Sequence, residues 1–242
     1  MKLVDAIDGR LRALGSPDRA RQEKAYLKSQ REHWGVGVPA IRSVAKTVRK
    51  EHPEVGHDEL IEMVESLWDS PVHERRMVTL ELLGGYHHLL RVDDISLLER
   101  LLRESGTWAL VDGLAESIVG GLVERCPELA GTLDHWAVDE DFWIRRAAML
   151  ALLHQLRRGG GDFERFSGYA DGMLEEKEFF IRKAIGWVLR DTGKRRPELV
   201  FEWLLPRAHR ASGVTLREAV KPLSGEQRAA IAGACLPPPG AR

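Results

Sequence analysis

Repeated segments constrain the fold of this chain more strongly than any other feature. FWIRRAAMLALL (Phe142–Leu153) aligns without a gap with FFIRKAIGWVLR (Phe179–Arg190), at an offset of 37 residues, and HERRMVTLELL from His73 joins the same alignment. Repeats of this length are typical of helical solenoids, because one pair of amphipathic helices cannot bury its apolar face alone and pairs therefore stack. The sequence thus predicts an all-α solenoid.

Helical periodicity extends along nearly the whole chain. Apolar residues recur at intervals of three and four, and no alternating strand pattern competes. Helix starts are expected at Ser16-Pro17, Ser70-Pro71, Asp139 and Asp141, with Pro127 and Pro197 each in a first turn. Gly159–Gly161 is expected to form a loop. We therefore predict a single helical-repeat domain over residues 1–236 and a disordered tail over residues 237–242.

Composition limits the class of protein. The chain has 242 residues, of which 43% are hydrophobic and 30% charged, enough for a sizeable core. It contains no run of 18 apolar residues and no signal-peptide pattern, so we expect a cytoplasmic protein with no membrane partner. Cys126 and Cys235 are far apart and match no metal-ligand spacing. We expect neither a disulfide nor a metal site.

One carboxylate stands in a column of basic residues. The second basic position of each repeat is occupied, in chain order, by Arg42, Arg76, Asp112, Arg146, Lys183 and Glu218, at spacings of 34, 36, 34, 37 and 35 residues. In a solenoid such a column lies along one inner surface, where it would attract a polyanion. The alternative is structural, since basic residues at this point of a repeat often link neighbouring repeats by hydrogen bonds. Asp112 and Glu218 are the two acidic residues in this basic column. Glu218 is expected to pair near Arg217 or Lys221, so Asp112 is the exception that either interpretation must explain.

Charge is distributed unevenly along the chain. The formal net charge is −1, yet residues 180–221 contain ten Lys or Arg against four Asp or Glu, an excess of +6. A protein that binds duplex DNA needs cations only on the contacting face, so this asymmetry suits a one-sided footprint. A solvated charged surface without a partner is the alternative.

Two tryptophans are placed beside the column. Trp108 precedes Asp112 by four residues and Trp187 follows Lys183 by four, so each ring shares a helical face with its column residue. Aromatic rings among charges suit a ligand that combines a sugar, a base and a phosphate. Packing in the core is the alternative for each ring taken alone.

Four segments carry a resemblance to a known family: WALVDGLAESIVGGLVERCPEL, FWIRRAAMLALL, EEKEFFIRKAIGWVLR and LREAVK. They resemble the AlkD family of bacterial DNA alkylation-repair glycosylases, and the resemblance covers about Tyr26 to Lys221. It implies a right-handed α-α superhelix of HEAT-like repeats with a concave DNA-binding face. The family's catalytic carboxylate falls on Asp112, its flanking tryptophans on Trp108 and Trp187, its phosphate-contacting arginine on Arg146, and a nearby aromatic on Tyr26.

The residues expected to contact DNA are basic or aromatic and lie along the repeats. They are Tyr26, Lys28, Arg42, Lys183, Arg190, Arg217 and Lys221. Two departures from the family pattern stand out: GVGVPAIR lacks polar side chains beside its proline, and GGG is inserted after Arg158.

The resemblance implies hydrolysis of the N-glycosidic bond of a cationic alkylated base, such as 3-methyladenine, 7-methylguanine or a bulkier N3 or N7 adduct, in duplex DNA. Alkylation makes the base a good leaving group, so one carboxylate that stabilises the sugar cation and orients water suffices. No cofactor and no metal is expected. The expected protein is a monomeric, nucleoid-associated bacterial enzyme that initiates base excision repair.

Two other functions remain open on the sequence. A non-catalytic DNA-binding paralogue would keep the basic surface, although the intact Asp112 counts against it. A protein-interaction scaffold is the ordinary use of helical repeats, and it would need neither the carboxylate nor the two tryptophans.

Overall fold

Helices make up almost all the regular structure of residues 2–235, the part of the chain that this computed structural model describes. Within that part no β-strand forms, and Glu32 and Val72 make an isolated bridge. No helix among these residues has the length and apolar character needed to cross a membrane. The predicted all-α repeat class is confirmed, while the predicted tail lies outside the described residues.

The helices fall into two compact units, one on each side of the Leu122–Val123 bond. The first contains α1 (Lys2–Ala13), α2 (Pro17–Leu27), α3 (Val38–Glu51), α4 (His57–Trp68), α5 (His73–Gly85), α6 (Ile95–Arg103) and α7 (Trp108–Gly113). The unit boundary falls within α8 (Gly120–Arg125). The second contains α9 (Ala130–Trp136), α10 (Phe142–Ala151), α11 (Leu153–Arg157), α12 (Phe163–Gly172), α13 (Phe179–Gly193), α14 (Pro197–Leu204), α15 (Gly213–Ala219) and α16 (Gly225–Ala234).

Local capping explains where several helices begin. The side chain of Ser16 accepts the backbone N–H of Arg19, with Pro17 as the first residue of α2. Asp141 caps α10 in the same way by accepting the N–H of Trp143. Both starts match the sequence prediction, because these short polar side chains satisfy N–H groups that have no partner inside the helix.

The Ser70-Pro71 start was wrong by two residues. Helix α5 begins at His73 after Val72, and Ser70 Oγ instead accepts the N–H of Val72 at 3.2 Å. Ser70 therefore stabilises the turn before the helix, because its hydroxyl bonds two residues ahead. The predicted loop at Gly159–Gly161 is present, with Gly159 and Gly161 at φ +90° and +74°.

The helices that carry the basic column pack on one another within each unit. In the first unit α3 packs on α5 and α5 on α7, while in the second α10 packs on α13 and α13 on α15. Gly186 permits the last of these contacts, since a Cβ there would lie 2.8 Å from the Cβ of Glu218 and 2.9 Å from the Thr215 carbonyl oxygen. The repeat alignment therefore places equivalent residues on adjacent helices.

A π-helical segment, Leu114–Val119, continues α7 directly. It packs against α5 and α6, and four of its six side chains are buried. The hydrogen bonds of a π segment span five residues instead of four, and such segments are frequent at functional sites. The π segment therefore rotates the side chains of α7 about the helix axis relative to the side chains that follow the segment.

Candidate functional site

Three of the predicted site residues lie in the first unit around the start of α7. Trp108 is the first residue of this helix and Asp112 the fifth, so both half-buried side chains share one helical face. The ring of Tyr26, whose surface is 73% exposed, meets the Trp108 ring edge to face, with centroids 5.9 Å apart and planes at 88°. The structure thus brings Tyr26 to Trp108, one helical turn from Asp112.

Lys28 lies beside the same helix start. It ends α2 in the left-handed region at φ 50°, a conformation that no other non-glycine residue adopts between residues 2 and 235. Together with Thr107, the residue before Trp108, it lines a cavity of about 260 Å³. Left-handed backbone is costly for residues other than glycine, and it concentrates at binding sites.

Arg42 lies on the exposed surface of α3. Its Nε donates to Glu81 Oε1 of α5 at 3.0 Å. Both residues line a groove of about 440 Å³ that runs across α3, α5 and α7 and reaches Ala109 and Gly113. Because exposed ion pairs contribute little to stability, a phosphate could displace Glu81 from Arg42 at small cost.

The next basic residue of the column has a structural role. Arg76 is buried and donates to the backbone carbonyl oxygen of Glu104 at 2.7 Å, with its guanidinium 4.4 Å from the centre of the Trp68 ring. Burial, with the nearby Arg31, lowers the pKa of Arg76 to about 10. The structural alternative considered for the column therefore holds at this position.

Arg146 occupies the equivalent position in the second unit. Its side chain is 2% exposed, donates to the carbonyl oxygen of Phe180, and lies with its guanidinium 5.9 Å from the Phe180 ring centre. This contact links α10 to the start of α13. Arg146 thus holds adjacent repeats together, and almost none of the residue is exposed.

Glu218 gathers three of the predicted DNA-binding cations. It accepts bonds from Lys183 at 2.7 Å, from Lys221 at 2.9 Å and from Arg190. The bonds from Lys183 and Lys221 lower the pKa of this buried carboxyl to about 2. The sequence predicted that Glu218 would pair near Arg217 or Lys221. Lys221 does pair with it, and Arg217 is exposed.

Trp187 is held by a carboxylate that the sequence analysis did not identify. Its indole N–H donates to Asp191 Oδ2 at 3.1 Å. Asp191 is 3% exposed and also accepts from Arg157 at 2.9 Å and from Lys194 at 2.6 Å. Burial alone would raise the pKa of Asp191, but the bonds from Lys194 and Arg157 leave it below the usual value. The spacing of four from Trp187 was the available signal.

The two carboxylates and their partners form what we call the cationic cluster. Its members are Arg157, Lys183, Arg190, Asp191, Lys194, Glu218 and Lys221. Five cations around two carboxylates leave a charge of +3. The carboxylates fix the long side chains in place, so the cluster presents a preorganised positive surface to an anion.

A second group of ligand-type side chains lies in the first unit. Glu23, His33 and Glu74 each offer one donor atom, and these atoms lie within 4.8 Å of one another. Burial raises the pKa of the Glu23 carboxyl and lowers the pKa of the His33 imidazole, because it disfavours the charged form of each. No metal site was expected from the sequence, in which these three residues are far apart and match no ligand spacing.

Comparison with known proteins gives consistent results. A family described as "DNA alkylation repair enzyme" matches residues 7–223. A predicted DNA alkylation repair enzyme from Enterococcus faecalis has the same fold, with a TM-score of 0.78, 23% identity, and coverage of 87% of this chain and 97% of that one. The structure of AlkD2 from Streptococcus mutans is similar at a TM-score of 0.60 and 18% identity, covering 85% of this chain and 100% of that one. No curated protein sequence matches the chain.

Proposed function

Because this chain belongs to the DNA alkylation repair enzyme family, we propose that it is a DNA glycosylase that excises cationic alkylated bases from duplex DNA. The substrates would be 3-methyladenine, 7-methylguanine or bulkier N3 and N7 adducts, and excision would initiate base excision repair. One observation carries the proposal: Asp112, the carboxylate in a basic column, shares a helical face with Trp108, whose ring contacts the exposed Tyr26.

The proposed chemistry needs one carboxylate. As the bond between C1′ and the base nitrogen breaks, its electron pair neutralises the alkylated base, and positive charge develops on the sugar. Asp112 stabilises that charge and orients a water molecule, whose oxygen bonds to C1′ and whose proton passes to the carboxylate or to solvent. At about 4 Å and an effective dielectric constant near 20 the attraction is roughly 4 kcal/mol. This corresponds to about a thousandfold in rate.

Binding is assigned to aromatic and basic residues of each unit, following the family resemblance. Tyr26, Trp108 and Trp187 would pack against the deoxyribose, since aromatic faces accept sugars and bases without sequence preference. Lys28 and Arg42 would hold phosphates from the first unit. The cationic cluster, Arg146 and the exposed Arg217 would hold phosphates from the second, which makes affinity fall with salt.

The test is release of free methylated bases from alkylated duplex DNA by the purified protein. Asp112→Asn keeps the size and shape of the side chain but removes the charge, so excision should fall by about a thousandfold while DNA affinity is retained. Glu116→Gln is the matched control, because it neutralises another carboxylate one turn further along the same continuous helix.

The outcomes separate the three functions. Release by the wild type, lost in an Asp112→Asn protein that still binds, supports the glycosylase. Salt-sensitive binding without release of any methylated or bulky base would assign the chain to the non-catalytic paralogue. Absence of DNA binding would leave the protein-interaction scaffold.

A further inference from the structure

We propose that Glu23, His33 and Glu74 bind a divalent transition-metal ion, for which Zn²⁺ is the best fit. Glu23 lies on α2, His33 in the connection between α2 and α3, and Glu74 at the second position of α5. One oxygen or nitrogen atom from each lies within 4.8 Å of the other two. A single ion placed among them would join three separate segments of the first unit.

Unsatisfied polar atoms indicate that a ligand belongs there. Both ring nitrogens of His33 and Oε2 of Glu23 are shielded from solvent and have no hydrogen-bond partner among the described residues. His73 is 2% exposed, its ring stacks on that of His33 with centroids 4.5 Å apart, and its Nδ1 also lacks a partner. Buried polar groups are almost always satisfied, so several unsatisfied ones at one place call for a bound species.

Glu74 is held ready to act as a ligand. It is fully buried, and its Oε1 accepts the N–H groups of Gly35 at 2.6 Å and Val36 at 3.1 Å. The N–H of Trp34 lies 3.0 Å from both carboxylate oxygens. A carboxylate has about four acceptor positions, so Oε2 retains capacity for an ion. These bonds fix the carboxylate in the way that supporting hydrogen bonds fix metal ligands.

The connection that carries His33 is fixed over Glu74. Gly35 adopts φ +78°, and a Cβ at this position would lie 2.0 Å from the Ser16 carbonyl oxygen. Only glycine accommodates this bend and this close approach. The imidazole and the carboxylate therefore come from segments whose backbones are restrained, which lowers the entropic cost of assembling a site.

The donor set selects the kind of ion. The three side chains offer only electron-pair donors, two carboxylates and an imidazole, within 4.8 Å of one another. The two carboxylates repel one another unless a cation lies between them. Imidazole favours Zn²⁺ over Mg²⁺ and Ca²⁺, which prefer oxygen ligands alone. Three protein ligands leave one position of a zinc tetrahedron for water. Arg19, 3.8 Å from Glu23 Oε1, is a cation that would compete with the ion for this carboxylate.

The ion would also act on the candidate site. Glu23 and Tyr26 lie three residues apart on α2, so an ion that ties Glu23 to α5 would restrain the part of α2 that holds Tyr26 against Trp108. This consequence rests on the proposed function. Ion binding itself does not, because it depends only on the three ligands.

Zinc uptake by the full-length, untagged protein tests the proposal. All proteins carry Cys126→Ser and Cys235→Ser, which removes the free thiols as competing zinc ligands. After treatment with a chelator, ZnCl₂ is titrated by calorimetry, and the bound zinc is measured by atomic emission after dialysis. We expect about one zinc ion per chain, a Tm that rises with zinc concentration, and no comparable effect of MgCl₂.

Two variants localise the ion. Glu23→Gln and His33→Gln keep the volume of the side chains and should each weaken zinc binding by about tenfold or more. Glu32→Gln is the matched control, because this exposed neighbour lies outside the cluster and keeps an acceptor for the Trp34 indole N–H. The Tm of each variant in chelator checks its folding.

Either of two results would overturn the proposal. The first is absence of stoichiometric zinc uptake, which would leave a water molecule as the species that satisfies these atoms. The second is uptake that Glu23→Gln and His33→Gln leave unchanged, which would place the zinc elsewhere. Base release by the same proteins is measured separately, so failure of the zinc site and failure of the glycosylase give different results.

Discussion

Trp187 donates its indole N–H to Asp191 Oδ2 at 3.1 Å, one turn further along the same helix. Asp191 is itself fixed by Arg157 and Lys194, and only 3% of it is exposed. A half-exposed aromatic ring is thus oriented by a buried carboxylate. Asp191 is a positioning residue for Trp187 under the proposed function.

Replacing Asp191 should impair excision without removing any group that touches DNA. Asp191→Asn keeps the shape but loses the charge that holds Arg157 and Lys194, so we expect about a 10- to 100-fold fall in kcat, as for other supporting residues. Glu202→Gln, on exposed α14 surface, is the control. A double variant with Trp187→Phe should lose little more than the worse single variant, because both changes break one contact. Additive losses would show that Asp191 acts independently of Trp187.

The stability of the protein should fall below pH 4.5 because the contribution of Glu218 is lost. A carboxyl whose pKa is about 2 when folded, against an ordinary value of 4.5, stabilises the fold fully above pH 4.5, and this contribution is lost as the pH falls towards 2. The difference corresponds to up to about 3 kcal/mol. Denaturant unfolding between pH 7 and pH 3 should show a smaller decline for Glu218→Gln than for the wild type. Glu226→Gln, which neutralises an exposed carboxylate, is the control. A decline in Glu218→Gln as large as that of the wild type would contradict the assigned ion pairs.

The ring of Tyr26 should matter more for activity than for stability. Because it is 73% exposed and touches Trp108 edge to face, Tyr26→Ala should lower the free energy of unfolding by only about 1 kcal/mol. Base release should fall further, since the ring is proposed to contact the sugar. Tyr26→Phe keeps the ring and should retain activity. Wild-type release by Tyr26→Ala would remove Tyr26 from the site.

Arg76 and Arg146 form a matched pair that separates structural from DNA-binding roles. Each is buried and donates to a backbone carbonyl at the next repeat. Arg76→Met and Arg146→Met should both lower the free energy of unfolding, by about 1–3 kcal/mol. The family resemblance assigns a phosphate contact to Arg146 and none to Arg76, so only Arg146→Met should reduce the slope of log affinity against log salt, by about one. Equal slopes in the two variants would make Arg146 a purely structural residue.

Gly186 should tolerate no side chain. A Cβ there would meet Glu218 and Thr215 of α15 at less than 3.0 Å, so Gly186→Ala should cost about 1–3 kcal/mol and disturb the cationic cluster. Gly168→Ala is the control, because a Cβ at that position of α12 meets nothing within 4 Å. This control should gain up to about 1 kcal/mol from better helix propensity. Thermal unfolding of both variants measures the difference, and similar Tm changes would contradict the close approach of α13 and α15.

The repeat class and the outline of the candidate site could be predicted from the sequence because both depend on spacing. Repeats at intervals of 34 to 37 residues place column residues on adjacent helices, and the structure packs α3 on α5 and α13 on α15 accordingly. Spacing of four put Trp108 beside Asp112. The meeting of Tyr26 with Trp108 came from the family resemblance, and the ring contact agrees with it.

The helical repeat, the column and its single odd carboxylate are evident from the amino-acid sequence, because helix periodicity converts positions along the chain into positions on a face. The packing of the helices is needed to see which basic residues link repeats, that Asp191 orients Trp187, and that Glu23, His33 and Glu74 converge. Burial and pairing depend on contacts between segments far apart in the sequence, and spacing alone does not give these contacts. A buried arginine such as Arg146 and an exposed one such as Arg42 occupy the same place in the repeat, and packing alone tells them apart.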